Sequence, residues 1–403
     1  SKKKFWHPLL ILFMCLVTVH GYNFCSTNNS IAAFKRPTYE FSLNILYRVA
    51  EQEDYHFAYS PISTWLQLVS LALGARGETS SELQNVTRYI KNKCFQRKYF
   101  QENHRLRKNL VALTEKSSFV VVHKLVGVKR KYINLINTCR ISKVLPVNFD
   151  EPERAATLTN GLIERNTRGV IKQGVYVDDF ENKLLFLTDN GYFKSNWLHP
   201  FDPLFTSEET FYSERNEDVG RVRMMSQLNY FRIAKIPKIN AEVLELPFNT
   251  RRKMSMLIAL PIDGAIGDLL YAFKGVTLRT IFNLNRRRKE LVLVKLPRFR
   301  IDTELSNLAE LLNDMGLQKI FYPELSDFGG ISNTKLFVSL IAQQTRVEVT
   351  EEGARAMYNS PDLLVKGNQT RKFEANRPFA FFIVDKVTEI ILFAGMYSNA
   401  AVY

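Results

Sequence analysis

Residues 351 to 379 read EEGARAMYNSPDLLVKGNQTRKFEANRPF, a stretch with neither helical nor strand periodicity. A segment this long makes sense only when an ordered body carries it, and it is then usually a functional loop. The body reads as helices first and strands second. Phe41, Ile45 and Val49 recur at helical spacing in PTYEFSLNILYRVAEQ. SPISTWLQLVSLALGARGETSSEL predicts a helix begun by Ser60-Pro61 and stopped near Gly74 and Gly77. NGLIERNTRGVI predicts a helix end followed by a turn, and KLLFLTDNGYFKSNW a half-buried strand. From residue 220 strands dominate: EVLELPF, MSMLIALP and ELVLVKLPRFRID, then one helix in ELSNLAELLNDMG, then strands to PFAFFIVDKVTEIILFAGMY. The chain has 403 residues, no Pro/Ser-rich linker and no internal repeat, so one α+β domain is predicted over residues 22–403.

Residues 1–21 stand apart. Lys2, Lys3 and Lys4 precede an apolar run from Pro8 to Val19, and Val19 and Gly21 are small residues before a cleavage point, the pattern of a secretory signal peptide. The run is too short to span a bilayer, which needs roughly 20 apolar residues. No membrane span is expected. Removing these residues, which carry three lysines and no acid, lowers the formal net charge from +15 to +12. Outside a cell, a protein that basic is expected to meet sulfated polysaccharides, acidic proteins or membrane surfaces rather than nucleic acid. Secretion would also leave Cys25, Cys94 and Cys139 in an oxidising compartment. Three cysteines allow one disulfide with a free thiol, or three free thiols.

Hydrolytic chemistry needs a nucleophile, a base and an orienting group. Beyond residue 21 the histidines are His56, His104, His123 and His199, and none adjoins a nucleophile elbow. GARGETS lacks the lysine of a phosphate loop, and no C-x-x-C or Cys/His spacing suggests a metal. An enzyme is not expected, and neither is a cofactor or metal.

Eleven short stretches follow one another along the chain: Ser60-Pro61 with Ser63, GARGET, Asn160 with Thr167, Gly169 and Ile171, GYFKSNWLHPF with Trp197, VRMM and VLELPF. LPRFRID, MGLQKIF, SDFGGIS, EVTEEGARA and NRPFAFFIVDKVTEIILFAG continue the series. Together they resemble the serpin family of serine protease inhibitors, with a look closest to secreted insect serpins. The resemblance implies an α+β fold of three β-sheets and about nine helices, with an exposed reactive loop between Gly353 and Phe373. It also implies a monomer. Family inhibitors act as suicide substrates: a protease cuts the loop, stays bound as an acyl-enzyme, and is distorted as the first half of the loop inserts into the main sheet. The inhibitor donates no catalytic group; the work is a conformational change.

Insertion requires small inward residues and a backbone N–H at every position. Glu351, Glu352, Gly353, Ala354 and Ala356 fit the family's hinge, whereas Arg355, Met357, Tyr358, Asn359 and Pro361 depart from it. With Ala354 inward, Ala356, Tyr358 and Ser360 face inward too. Tyr358 is oversized there, and Pro361 cannot donate to a central strand. A non-inhibitory or weakly inhibitory protein that binds extracellular partners is therefore expected, the alternative being an inhibitor of an extracellular serine protease cut near Lys366-Gly367. Family loop length puts the cut between Gly367 and Asn368, with Lys366 one position away. Asn368 also opens a glycosylation sequon, as do Asn28 and Asn85.

Where the main sheet must open, the resemblance groups His56, Ser60, Ser63, Asp189 and Gln343. Family members usually have His in place of Gln343 and Asn in place of Asp189 and His56. Gln343 can still be hydrogen bonded by serines, but a buried Asp189 requires a donor partner. Finally, Arg88, Lys91, Lys93, Arg97 and Lys98 occupy the place of the heparin-binding helix of some serpins. Arg88, Lys91 and Lys98 are expected on one helical face, and a heparin-like polyanion is an expected partner.

Overall fold

The computed structural model describes residues 25–109, 114–251, 253–277, 280–281, 284, 287–353 and 370–403. Helix α1 (Thr27–Gln52) is capped by the Ser26 hydroxyl, which accepts from the Asn29 amide at 3.0 Å. Its Phe41, Ile45 and Val49 are buried, as their spacing predicts. After strand β1 (Phe57–Tyr59), α2 (Pro61–Ala72) begins with Pro61 in the first turn, where a missing N–H is harmless. Every residue of α2 is buried, so this helix runs through the interior. It ends before Gly74. Gly77 is not a stop but the first residue of α3 (Gly77–Thr87).

Helix α4 (Lys93–Asn109), strand β2 (Thr114–His123), helix α5 (Arg130–Cys139), strand β3 (Lys143–Val147) and helix α6 (Pro152–Asn166) follow. Arg168 and Gly169, both at positive φ, make the expected turn after α6. Strands β4 (Leu185–Lys194), β5 (Thr206–Tyr212), β6 (Asp218–Ile236), β7 (Ala241–Pro247) and β8 (Met254–Pro261) come next. Then come α7 (Ile266–Phe273), β9 (Glu290–Pro297), β10 (Phe299–Leu305), α8 (Ala309–Asp314), β11 (Ile341–Val349), β12 (Arg371–Glu374), β13 (Phe379–Asp385) and β14 (Ile390–Tyr397).

One sheet has the order β10-β11-β4-β2-β3. The rest form a path β1-β14-β13-β8-β7-β6-β9-β12, with β5 on β6. The long β6 divides this path into two leaves: Arg232–Ile236 pair with β7, and Met224–Phe231 pair with β9. Three leaves and eight described α-helices make up the expected α+β fold. ELVLVKLPRFRID is two strands rather than one, because β9 ends at Pro297 and β10 joins the other sheet. β4 is buried on both faces, not half-buried. Leu185 and Leu187 face the main core, while Phe186 packs with Ala155, Ala156 and Ile163 under α6. A strand covered on both sides loses the alternation by which exposure is read.

Candidate functional site: the seam of the five-stranded sheet

The inward residues of β11 are Ile341, Gln343, Thr345, Val347 and Val349, in strict alternation. Its neighbour β4 runs parallel to it, paired from Ile341 with Leu187 through Glu348 with Lys194. No strand stands between them. A chain turning back from the end of β11 would run antiparallel to both, so this seam is where such a strand would enter.

A polar cluster lies under the seam, built where the N-terminus of buried α2 meets the sheet. The Gln343 amide is fully used. Its Oε1 accepts from the Ser60 amide at 2.8 Å and the Thr345 hydroxyl at 2.9 Å. Its Nε2 donates to the Ser60 carbonyl at 3.0 Å and Thr64 Oγ1 at 3.2 Å. Ser60 Oγ lies 2.7 Å from Ser63 Oγ and donates to the Leu392 carbonyl at 2.7 Å. Asp189, opposite Gln343 in the strand register, is fully buried. Its counter-ion is Lys116, whose Nζ stands 3.1 Å from Asp189 Oδ2 as an ion pair without a hydrogen bond to either carboxylate oxygen, and donates to Ser63 Oγ at 2.5 Å. Lys116 reaches Asp189 diagonally across the β2–β4 pair, where Ser118 is directly opposite Asp189. The sequence reading missed Lys116, and its only signal was a lysine in the polar first half of the polar-to-apolar run TEKSSFVVVH.

Ser60, Ser63, Asp189 and Gln343 thus come together, but His56 does not join them. It precedes β1 at the end away from Ser60, and its Nδ1 accepts from the Ser398 and Asn399 amides, each at 3.2 Å. His56 therefore fastens the C-terminal segment, and burial lowers its pKa. The three residues of β1 set the separation: four steps at about 3.3 Å each carry His56 out of hydrogen-bonding reach of the cluster.

At the upper end of the seam the hinge is fixed by several contacts. The Trp197 amide donates to the Glu352 carbonyl at 3.0 Å, the Phe201 amide to the Glu351 carbonyl at 3.1 Å, and Trp197 Nε1 to the Thr350 carbonyl at 2.7 Å. Glu351 Oε1 accepts from Thr206 Oγ1 at 2.8 Å, and Glu352 pairs with Lys194 at 2.7 Å. Gly353 bridges to Trp197, and a Cβ there would overlap the Trp197 carbonyl, so only glycine fits. Ala354, Arg355, Ala356, Tyr358, Pro361, Lys366, Gly367 and Asn368 lie outside the described residues. The far boundary of the loop is Arg371, not Phe373. Arg371–Glu374 already pair with Val292–Lys295, and Phe373 is buried.

The basic segment is less regular than its spacing suggests. Arg88 ends α3 in a left-handed conformation and pairs with Glu40 at 2.5 Å, and Lys91 lies in the link before α4. These two therefore do not share a helical face with Lys98. Lys91, Lys93 and Arg97 are exposed, and Lys98 is half-buried. Cys25 and Cys94 form a disulfide that ties the start of α1 to the start of α4. Cys139 is buried as a free thiol, and burial raises its pKa to about 11. The sequon residues Asn28 and Asn85 are exposed. Among the described residues no helix is long and apolar enough to cross a membrane, and no cluster of His, Cys, Asp or Glu could hold a metal ion.

The family model described as Serpin (serine protease inhibitor) matches residues 37–400. The human Protein Z-dependent protease inhibitor is 27% identical over 371 residues, covering 90% of this chain and 82% of that protein. The crystal structure of native protease nexin-1 with heparin superposes with a TM-score of 0.79 at 25% identity, covering 92% of this chain and 99% of the other. Serpin-12 of Manduca sexta gives a TM-score of 0.80 at 22% identity over 90% of this chain and 98% of its own, a likeness of fold alone.

Proposed function

The chain belongs to the serpin family, and on that premise we propose that it is an extracellular protein that binds partners while trapping proteases weakly or not at all. The observation that carries this reading is a closed seam set beside an ill-suited insert. β4 and β11 are paired along their length, and a strand parting them from the Gly353 end would bring Tyr358 inward and Pro361 into the ladder. A ring in a slot shaped for a methyl costs about 1–3 kcal/mol, and a buried carbonyl left without a donor roughly 1–3 kcal/mol. If about half of that enters the barrier, insertion slows tenfold or more, at about 1.4 kcal/mol per tenfold. Trapping is a race against hydrolysis, so the delay decides the outcome.

Serpins generally target serine proteases, and the Protein Z-dependent protease inhibitor is named as an inhibitor. That likeness, with the fitting hinge Glu351-Glu352-Gly353, supports the second reading, an inhibitor cut near Lys366-Gly367. Trypsin-like and elastase-like proteases mixed with the protein separate the two. The binding-protein reading expects cleaved chain and no covalent complex in SDS; a stable complex would establish the inhibitor. Secretion rests on residues 1–21 and on the exposed sequons at Asn28 and Asn85. It is tested by the mass lost on glycosidase treatment of protein recovered from culture medium.

A further inference from the structure

Beside the Lys116 cluster lies a cavity of about 610 Å³, bounded by α2, α4, the strands β2 and β3, and β14. Its size is that of a small-molecule site. Its walls are of two kinds. One side is apolar: Ile62 and Leu66 of α2, Leu106 of α4, Phe119 of β2, and Leu392 and Phe393 of β14. The other carries His104 and Lys108 of α4, Lys116 of β2, Arg140 at the end of α5 and Lys143 at the start of β3. No described residue lining the cavity is Asp or Glu, although the chain has 40 of them.

The basic groups do different work. Lys116 is engaged with Asp189 and Ser63 at the floor. Arg140 Nη1 lies 2.5 Å from His104 Nε2, so the imidazole accepts there and orients the guanidinium. Lys108, Arg140 and Lys143 then supply positive charge at the exposed rim. One sign of charge around a low-dielectric wall focuses potential into the cavity. A guanidinium matches a carboxylate or sulfate in planar geometry.

We propose that this cavity binds a small anionic amphiphile, with its head group held by Arg140 and Lys143 and its apolar body laid against Leu66, Phe119 and Phe393. Charge complementarity sets the head, and the apolar wall sets the body. A sulfated polysaccharide satisfies only the first. The assignment goes beyond the proposed function and does not depend on whether the loop inserts.

Titration calorimetry of the full chain with decanoate tests it. Decanoate is expected to bind saturably at one site, with decyltrimethylammonium failing to bind and inorganic sulfate binding about tenfold more weakly or worse for lack of the apolar contact. The Arg140→Gln, Lys143→Gln double variant, whose changed side chains are exposed, should lose affinity for decanoate by about fivefold or more. Ser118→Phe should fill the cavity and abolish binding; if that variant does not fold, the charge variant still decides. Lys91→Ala, Arg97→Ala and Lys98→Ala together should leave decanoate affinity unchanged. No decanoate binding, equal binding of the cationic analogue, or sulfate binding as tight as decanoate would overturn the proposal. So would affinity that survives the double variant, or affinity lost in the Lys91, Arg97, Lys98 variant.

Discussion

Asp189 carries its carboxylate in the interior, and Lys116 is the group that makes this tolerable. Removing one partner of a buried pair leaves an uncompensated charge, at a cost of about 3–5 kcal/mol. Lys116→Met should therefore lower the unfolding free energy by about that much in urea titration. Adding Asp189→Asn should restore most of it, because an amide needs no counter-ion. An equal loss in the double variant would mean that packing, not charge, is what Lys116 contributes. His56 gives a prediction in pH. Burial lowers its folded pKa, so on acidification the unfolded chain takes up the proton first. The stability tied to neutral His56 is present above the unfolded value of about 6.5 and is lost as pH falls below it. His199 shifts in the same direction by burial. His56→Asn, which keeps an acceptor for the Ser398 and Asn399 amides, should thus flatten part of the decline in melting temperature between pH 7.5 and 5.5, not all of it. At this scale the sequence was half legible. The demand of Asp189 for a donor could be read from its type, but Lys116 could not be named without the β2–β4 register.

Among elements, helices and strands were legible wherever their period was intact, as in α1 and in the β13–β14 hairpin. Boundaries failed where no glycine or proline announced them. Arg88 closes α3 at φ 49, a left-handed stop made by a non-glycine residue, so a helical face drawn from Arg88 through Lys98 crosses a break. What remains is a narrower basic surface: Lys91 in the link before α4, Lys93 at its start, then Arg97 and the half-buried Lys98. The Cys25–Cys94 disulfide holds that start against α1. Heparin binding through this surface would be electrostatic, hence steeply weakened once salt shortens the screening length below about 10 Å. Lys91→Ala, Arg97→Ala and Lys98→Ala together should elute from heparin resin at clearly lower salt than the wild type, and with a shallower salt dependence. Unchanged elution would remove this element as the polyanion site.

For the whole molecule, the motifs pointed to the fold, but its present state is a matter of pairing. β4 and β11 touch through pairing between distant parts of the chain, which no local period encodes. In the form described here they touch along eight successive pairs from Ile341 to Glu348. A loop able to insert after cleavage would add a central strand, with its ladder bonds and buried side chains, and the cut protein would melt much higher than the intact one. If Tyr358 and Pro361 obstruct insertion, a nick near Lys366 should leave the melting temperature of the wild type nearly unchanged. Tyr358→Ala with Pro361→Ala should recover a large rise on nicking, since it removes about 1–3 kcal/mol of overpacking and restores one ladder donor. A large rise in the nicked wild type would transfer the preference to the inhibitor. If neither form rises, the resistance lies below the loop, where Gln343 fastens β11 to Ser60 and Lys116 holds Asp189 in β4.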